Sequence, residues 1–307
     1  MPTNTSIRLL QPSSSLEQAI DDFAVRLRAQ GRSELTVSAY LRDLHCFARA
    51  IPGIGIYEVT PTIMDTALAD PALICSENGS LKSPATMYRL KATLRAFFTW
   101  AAESGLVESN PGRSITSRRL SRKLPKFLTE HEKRRLIKEL HDRTSPLARR
   151  DRVIFELFLG TGIRIAELVS LDIDDVDLDG KHIYITGKGG IPQAKFLKSS
   201  LRTLLRSYLK ERHRLTGSEV TALFVSSRGT RLCCRQIAQR LAYWLGKAGI
   251  QKNVTPHGLR HTFATHLYAA TSDVRLVKEA LGHLCIGSTE VYTHLANEPL
   301  EDAIERL

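Results

Sequence analysis

Disulfide chemistry is the first thing this sequence lacks. Its five cysteines, Cys46, Cys75, Cys233, Cys234 and Cys285, are odd in number and include no C-x-x-C pair. That excludes the stapled framework of a small secreted domain and points to reduced thiols in the cytosol. The adjacent Cys233 and Cys234 are poorly spaced for a metal site. No stretch of about 18 apolar residues occurs, so no membrane span is expected. Residues 1–15 are polar apart from a short patch at 7–10, which argues against a secretory signal. Acidic residues are in deficit, 32 against 44 basic ones, for a net charge of +12. A basic balance favours a polyanionic partner. The deficit is also local. Residues 109–129 hold no Asp or Glu but carry Arg113, Arg118, Arg119, Arg122, Lys123 and Lys126.

What is present divides in two, as 307 residues allow. Residues 1–15 read as a flexible arm. Leu16, Ala19, Ile20, Phe23 and Leu27 then recur at helical spacing, and Gly31 ends that helix. Thr36 can cap a second helix, with Val37, Tyr40, Leu41, Leu44, Phe47 and Ile51 inward and Pro52-Gly53 as its stop. A short third helix starts near Pro61. Pro84 opens a longer one, with Met87, Leu90, Leu94, Phe97, Phe98 and Ala101 inward and Gly105 closing it. The spacing predicts an all-α domain over residues 16–112. Arg42, Lys82, Arg89, Lys91 and Arg95 read as scattered surface charge, with phosphate contact as the alternative. Residues 113–128 form a basic linker, whose unneutralised cations favour counterion release from DNA.

The second domain spans residues 129–307. Thr129 and Glu132 make a capping box for a helix through Leu140. Residues 152–159 form an apolar helix, which Gly160-Thr-Gly162 breaks to present Arg164 before a short helix at 165–171. Glu167 there pairs with or orients a neighbour. The five carboxylates of residues 172–179 read as a solvated turn rather than a metal cluster. Residues 182–186 alternate as a strand, 187–190 turn, and 193–197 pair back, leaving Lys188 at the hairpin tip. Gly187-Lys-Gly-Gly190 lacks the full G-x-x-x-x-G-K-[ST] pattern, so a nucleotide-binding loop is excluded. Helices follow at 201–215 and 235–248. Arg231, Arg235 and Arg240 can reach a phosphate or a base edge.

The chain is organised around Thr255-Pro-His-Gly-Leu-Arg-His261, then Leu281-Gly-His283, then Val291-Tyr-Thr-His294. Pro256 suits a first helical turn, and His257 and Arg260 then share a face at the helix start. Two phosphate-binding side chains at a positive helix end make an anion site, and an Arg there can fork two phosphate oxygens. Tyr292 stands nine residues beyond His283, and a phenolic oxygen can form a covalent intermediate. His261 and His266 are five apart, a poor helical metal pair, and read as structural; His294 has no assigned role.

Six positions in this order resemble the tyrosine recombinase (phage integrase) family: Arg164 in Gly-Thr-Gly-Ile-Arg, Lys188 in Gly-Lys-Gly-Gly, the H-x-x-R of His257 and Arg260, His283 after Leu-Gly, and Tyr292 before Thr-His. The resemblance implies a mainly α fold with a small β-sheet or hairpin. An all-α core-binding domain, similar around Thr36-x-x-x-Tyr40-x-x-x-Leu44, joins an α+β catalytic domain in a C-shaped clamp on DNA. It implies a Xer-like two-domain member without an added arm-binding domain, needing no cofactor and no metal. Ala270-Thr-Ser-Asp273 departs from the common Gly-Ala-Asp, outside the six positions. By resemblance Tyr292 is the nucleophile, Arg164 and Arg260 hold the non-bridging oxygens, His257 donates to the phosphate or helps take the tyrosine proton, His283 bonds the same phosphate, and Lys188 protonates the departing 5′-oxygen. The implied intermediate is a 3′-phosphotyrosyl link. A free 5′-hydroxyl then exchanges strands through a Holliday junction. The implied partners are double-stranded DNA with short inverted-repeat sites and a homotetramer, or a heterotetramer with a related recombinase. Residues 299–307, an amphipathic helix by pattern, would pack on their own domain or, as the resemblance implies, dock on a neighbouring protomer. The competing readings are a topoisomerase IB-like relaxer and a non-catalytic DNA-binding relative. The helical first domain and the H-x-x-R context argue against the former, and the intact six residues against the latter.

Overall fold

The computed structural model describes residues 15–117, 126–142, 145–187, 192–212, 216 and 219–282. The chain forms two compact units, Met1–Arg122 and Lys123–Leu307, each with its own apolar core.

The first unit is built from α1 (Leu16–Ala29), α2 (Glu34–Ala50), α3 (Pro61–Ala69), α4 (Pro71–Ile74) and α5 (Pro84–Glu103). Each starts where a side-chain oxygen of Ser15, Ser33, Thr60, Asp70 or Ser83 accepts a backbone N–H, and proline opens α3, α4 and α5. The cap of α2 is Ser33, not Thr36. Thr36 sits one turn in and donates its N–H to Ser33 Oγ at 3.3 Å. Phe23, Phe47, Phe97 and Phe98 meet edge to face in the core. Four of the five scattered cations close this unit on itself. Lys82 donates to the Leu73 carbonyl, Arg89 to the buried Asp43, Lys91 to the Thr116 carbonyl, and Arg95 to the Ile115 carbonyl and Ser117. Residues 113–117, assigned above to the linker, therefore pack on α5, with Ile115 buried. Residues 118–125, which hold most of the linker cations, lie outside the described residues, as do residues 1–14.

The second unit runs α6 (Glu130–His141), α7 (Pro146–Thr161), α8 (Ile165–Ser170), β1 (Val176–Asp177), β2 (His182–Thr186), β3 (Pro192–Phe196), α9 (Ser199–Arg212), α10 (Cys234–Lys247), α11 (Pro256–Thr271) and α12 (Val274–Leu281). The strands form an antiparallel sheet in the order β1-β2-β3, with Tyr184 opposite Ala194. α7 packs against α6, α9 and α11. It starts at Pro146, capped by Ser145, rather than at Arg152, and its first turns carry Arg150 and Asp151 into the interior as a pair. The fully buried Asp151 also accepts from Arg240 at 2.6 Å and from the Trp244 indole at 2.8 Å, tying α7 to α10. The acidic run 172–179 is more than a solvated turn. Val176 and Asp177 make β1, and Asp172 accepts from Arg231 and Thr221. Arg231 and Arg240 are thus engaged within the fold, while Arg235 stays exposed on α10. No helix among the described residues is long and apolar enough to cross a membrane.

Candidate active site

The ends of four helices and one strand build the site. α7 ends at Gly162 in the left-handed conformation, φ 62°. A Cβ there would lie 2.5 Å from the Phe263 ring and 2.9 Å from Leu281. Only glycine lets the end of α7 turn this close to α11 and α12. The turn delivers Arg164 to the N-cap of α8, where Glu167 accepts the Arg164 backbone N–H at 2.8 Å and its guanidinium at 2.5 Å. The Glu167 side chain is 6% exposed and that of Arg164 37%, so a buried carboxylate anchors a guanidinium that still reaches solvent.

Thr255 caps α11 and Pro256 is its first residue, which puts His257 and Arg260 in the opening turns. Arg260 is buried. Its Nη1 donates to the Gly162 carbonyl at 2.5 Å and its Nη2 to the Leu281 carbonyl at 2.8 Å. One guanidinium therefore holds the carboxyl ends of both α7 and α12. The His257 ring packs edge-on against His261, 4.6 Å between centroids. Solvent reaches His257, yet partial burial, followed by the charges of Arg260 and Arg164, holds its pKa below the ordinary value. It is neutral at pH 7, able to accept one proton or donate another.

The sequence reading missed a residue here. Lys195 lies on the inward face of β3, 5% exposed, and its Nζ donates to the Ala280 carbonyl near the end of α12. Burial, then the Arg260 charge and less strongly that of Arg164, brings its pKa down to about 8, while Glu167 pulls the other way. The signal was the two-residue period: Gln193 and Lys195 share the less exposed face of β3, where apolar side chains are expected. Arg164, Lys195, His257 and Arg260 thus share one electropositive neighbourhood with a carboxylate beneath it, an arrangement suited to a phosphodiester. Lys188, His283 and Tyr292 lie outside the described residues, as does the 299–307 segment. Among the histidines not assigned to the site, His266 pairs with Glu130 at 3.2 Å.

The profile described as the phage integrase family matches residues 126–298. "Tyrosine recombinase XerC" of Serratia marcescens is 35% identical over 283 residues, covering 92% of this chain and 91% of the relative. The XerH site-specific recombinase bound to palindromic difH substrate, a post-cleavage complex, has a TM-score of 0.72 at 25% identity and covers 94% of this chain and 84% of that one. The Tn1549 transposon integrase bound to transposon right end DNA shares the fold, with a TM-score of 0.71 at 18% identity and coverage of 96% and 99%. The profile lies in the second unit, whereas the relative and the two solved structures reach both, and the mainly helical fold with its small sheet agrees with the expectation from sequence. With a profile over more than half its length and a relative this similar over nearly all of it, the chain belongs to the phage integrase family, the tyrosine recombinases, which cleave and rejoin DNA.

Proposed function

We propose that Tyr292 is the nucleophile with which this tyrosine recombinase exchanges strands between two short DNA sites, and that Arg164, Lys188, His257, Arg260 and His283 serve it. Tyr292 attacks the phosphorus of one strand, forming the tyrosyl–phosphate bond as the bond to the 5′-oxygen breaks. Arg164 and Arg260 carry the charge that grows on the non-bridging oxygens. His257, neutral at pH 7, takes the phenolic proton or donates to the phosphate, and Lys188 gives a proton to the leaving 5′-oxygen. Attack by the 5′-hydroxyl of a partner duplex reverses the step, so no hydrolysis and no external energy source is required. The observation that carries the reading is the meeting of Arg164, from the α7–α8 turn, with His257 and Arg260 of α11 in one neighbourhood, nearly a hundred residues apart in sequence.

Each tyrosine cuts one strand, and exchange between two duplexes cuts four. The assembly is therefore a tetramer on paired inverted-repeat sites, of this chain alone or with a related recombinase. Residues 16–112 and 129–307 are the two DNA-gripping domains, joined by the basic linker. Substrate DNA places the enzyme in the cytoplasm. The test is a covalent-adduct trap: protein is mixed with sheared DNA of its source, stopped with SDS, and the DNA recovered with protein is sequenced. Ends that gather at one inverted repeat and vanish in Tyr292→Phe support the reading. Adducts that persist in Tyr292→Phe, or DNA binding with no adduct at all, overturn it.

A further inference from the structure

Lys195 is expensive where it stands. Its strand is one of three, and the inward positions of β2 carry Ile183 and Ile185. An ammonium has three donors, and the bond seen for this one goes to the Ala280 carbonyl. The charged groups around it come from three directions: Arg260 on α11, Arg164 at the head of α8, and Glu167 within α8. Two of the three repel it. An apolar side chain would serve the fold better, since a buried charge is tolerated only when it is compensated.

Two features give the charge a use. Lys195 and Arg260, from different elements, grip successive carbonyls at one helix end, Ala280 and Leu281. That end is the negative pole of α12, where cations bind well. It also closes in a tight turn, since Gly282 has φ 65° and a Cβ there would lie 2.2 Å from Gln193 Oε1 of β3. β3 thus presses on the end of α12 with two side chains, and the same end orients the Arg260 guanidinium. A phosphodiester on Arg164 and Arg260 would supply the negative charge that the neighbourhood lacks.

We propose that Lys195 is a positioning residue for strand cleavage: its ammonium fixes the end of α12 that orients Arg260, and it adds a third positive charge behind the Arg164–Arg260 pair. This rests on the reading of that pair as the phosphate site. The Lys195 proton is then required, and it is lost from the free enzyme at a pH where an ordinary lysine keeps it.

The experiment measures the initial rate of Tyr292-dependent adduct formation on sheared source DNA. DNA is kept subsaturating, so that the profile reports the free enzyme. Wild type, Lys195→Met and Lys195→Arg are compared between about pH 7 and about pH 9. Wild type is expected to fall roughly ten-fold over this interval, as one group titrates near the middle of it. Lys195→Arg, which keeps its charge, should stay within a few-fold of wild type at pH 7 and remain flat. Lys195→Met should be roughly ten-fold or more slower at pH 7, and flat. A Lys195→Met chain as fast as wild type, or a Lys195→Arg chain with the wild-type alkaline limb, overturns the proposal. Adducts independent of Tyr292 overturn the functional reading, and this proposal with it. Should Lys195→Met not fold, thermal melting of wild type and Lys195→Arg decides. The unfolded lysine binds a proton between about pH 8 and 10 that the folded one releases. The Tm of wild type should therefore rise relative to Lys195→Arg across that range, and parallel curves overturn the proposal.

Discussion

Glu167 shows how little slack the site has at the scale of single residues. Its two carboxylate oxygens are divided between the Arg164 backbone and the Arg164 guanidinium. Glu167→Gln keeps an acceptor but halves the strength of a charge-assisted bond. We expect a stability loss of about 1 kcal/mol by urea denaturation, and a rate of Tyr292-dependent adduct formation roughly ten-fold lower, as Arg164 loses its fixed direction. His257 gives a second prediction, in pH. Its folded pKa lies below the ordinary value, so on acidification the unfolded chain takes up a proton first. Tm therefore falls as the pH is lowered from about 7.5 to about 5.5, and it falls less in His257→Gln, which has no such proton to bind. Melting curves of the two chains across that interval check the sign. A Lys at an inward strand position and a Glu three residues after an Arg were both visible in the sequence. The Glu was legible as pairing with a neighbour, as it does locally with Arg164, but the Lys could not be assigned a partner, because its partners come from α8, α11 and α12.

Helix starts and the β2 strand were legible because their signals are local. Pro61 and Pro84 at helix openings, the Thr129–Glu132 box and the alternation of residues 182–186 each act within a few residues. The beginning of α7 was hidden for a physical reason: a hydrophobic period cannot register an Arg150–Asp151 pair that neutralises itself inside the core. β1 was hidden because two residues in an acidic run become a strand only when β2 is beside them. Two predictions belong to these elements. Asp151→Ala leaves the buried Arg150 without its carboxylate and severs α7 from α10, at a cost of roughly 3–5 kcal/mol in urea. Gly162→Ala forces a left-handed residue and a new Cβ into Phe263 and Leu281. A loss of about 2 kcal/mol or more is expected, with adduct formation falling further than stability, since the displaced carbonyl is one that Arg260 holds.

For the whole molecule the leading quantity is charge. With a net +12, binding to non-specific duplex should weaken steeply with salt. Four phosphate contacts alone predict roughly a hundred-fold loss between about 50 and 200 mM salt; titration of a labelled duplex at several salt concentrations reads the slope. The engagement of Arg231 and Arg240 within the second unit lowers the number of cations left to contribute, so Arg231→Ala should cost stability more than it changes that slope. Arg260 carries a different consequence. The guanidinium assigned to the phosphate is also the strut between the ends of α7 and α12. Over descent, a lineage that abandons strand cleavage can discard a purely chemical side chain at no cost to folding, but this one holds the architecture upright. Retention of the arginine in a relative is therefore weak testimony that the relative still cuts DNA, whereas retention of a residue with no structural duty is strong testimony.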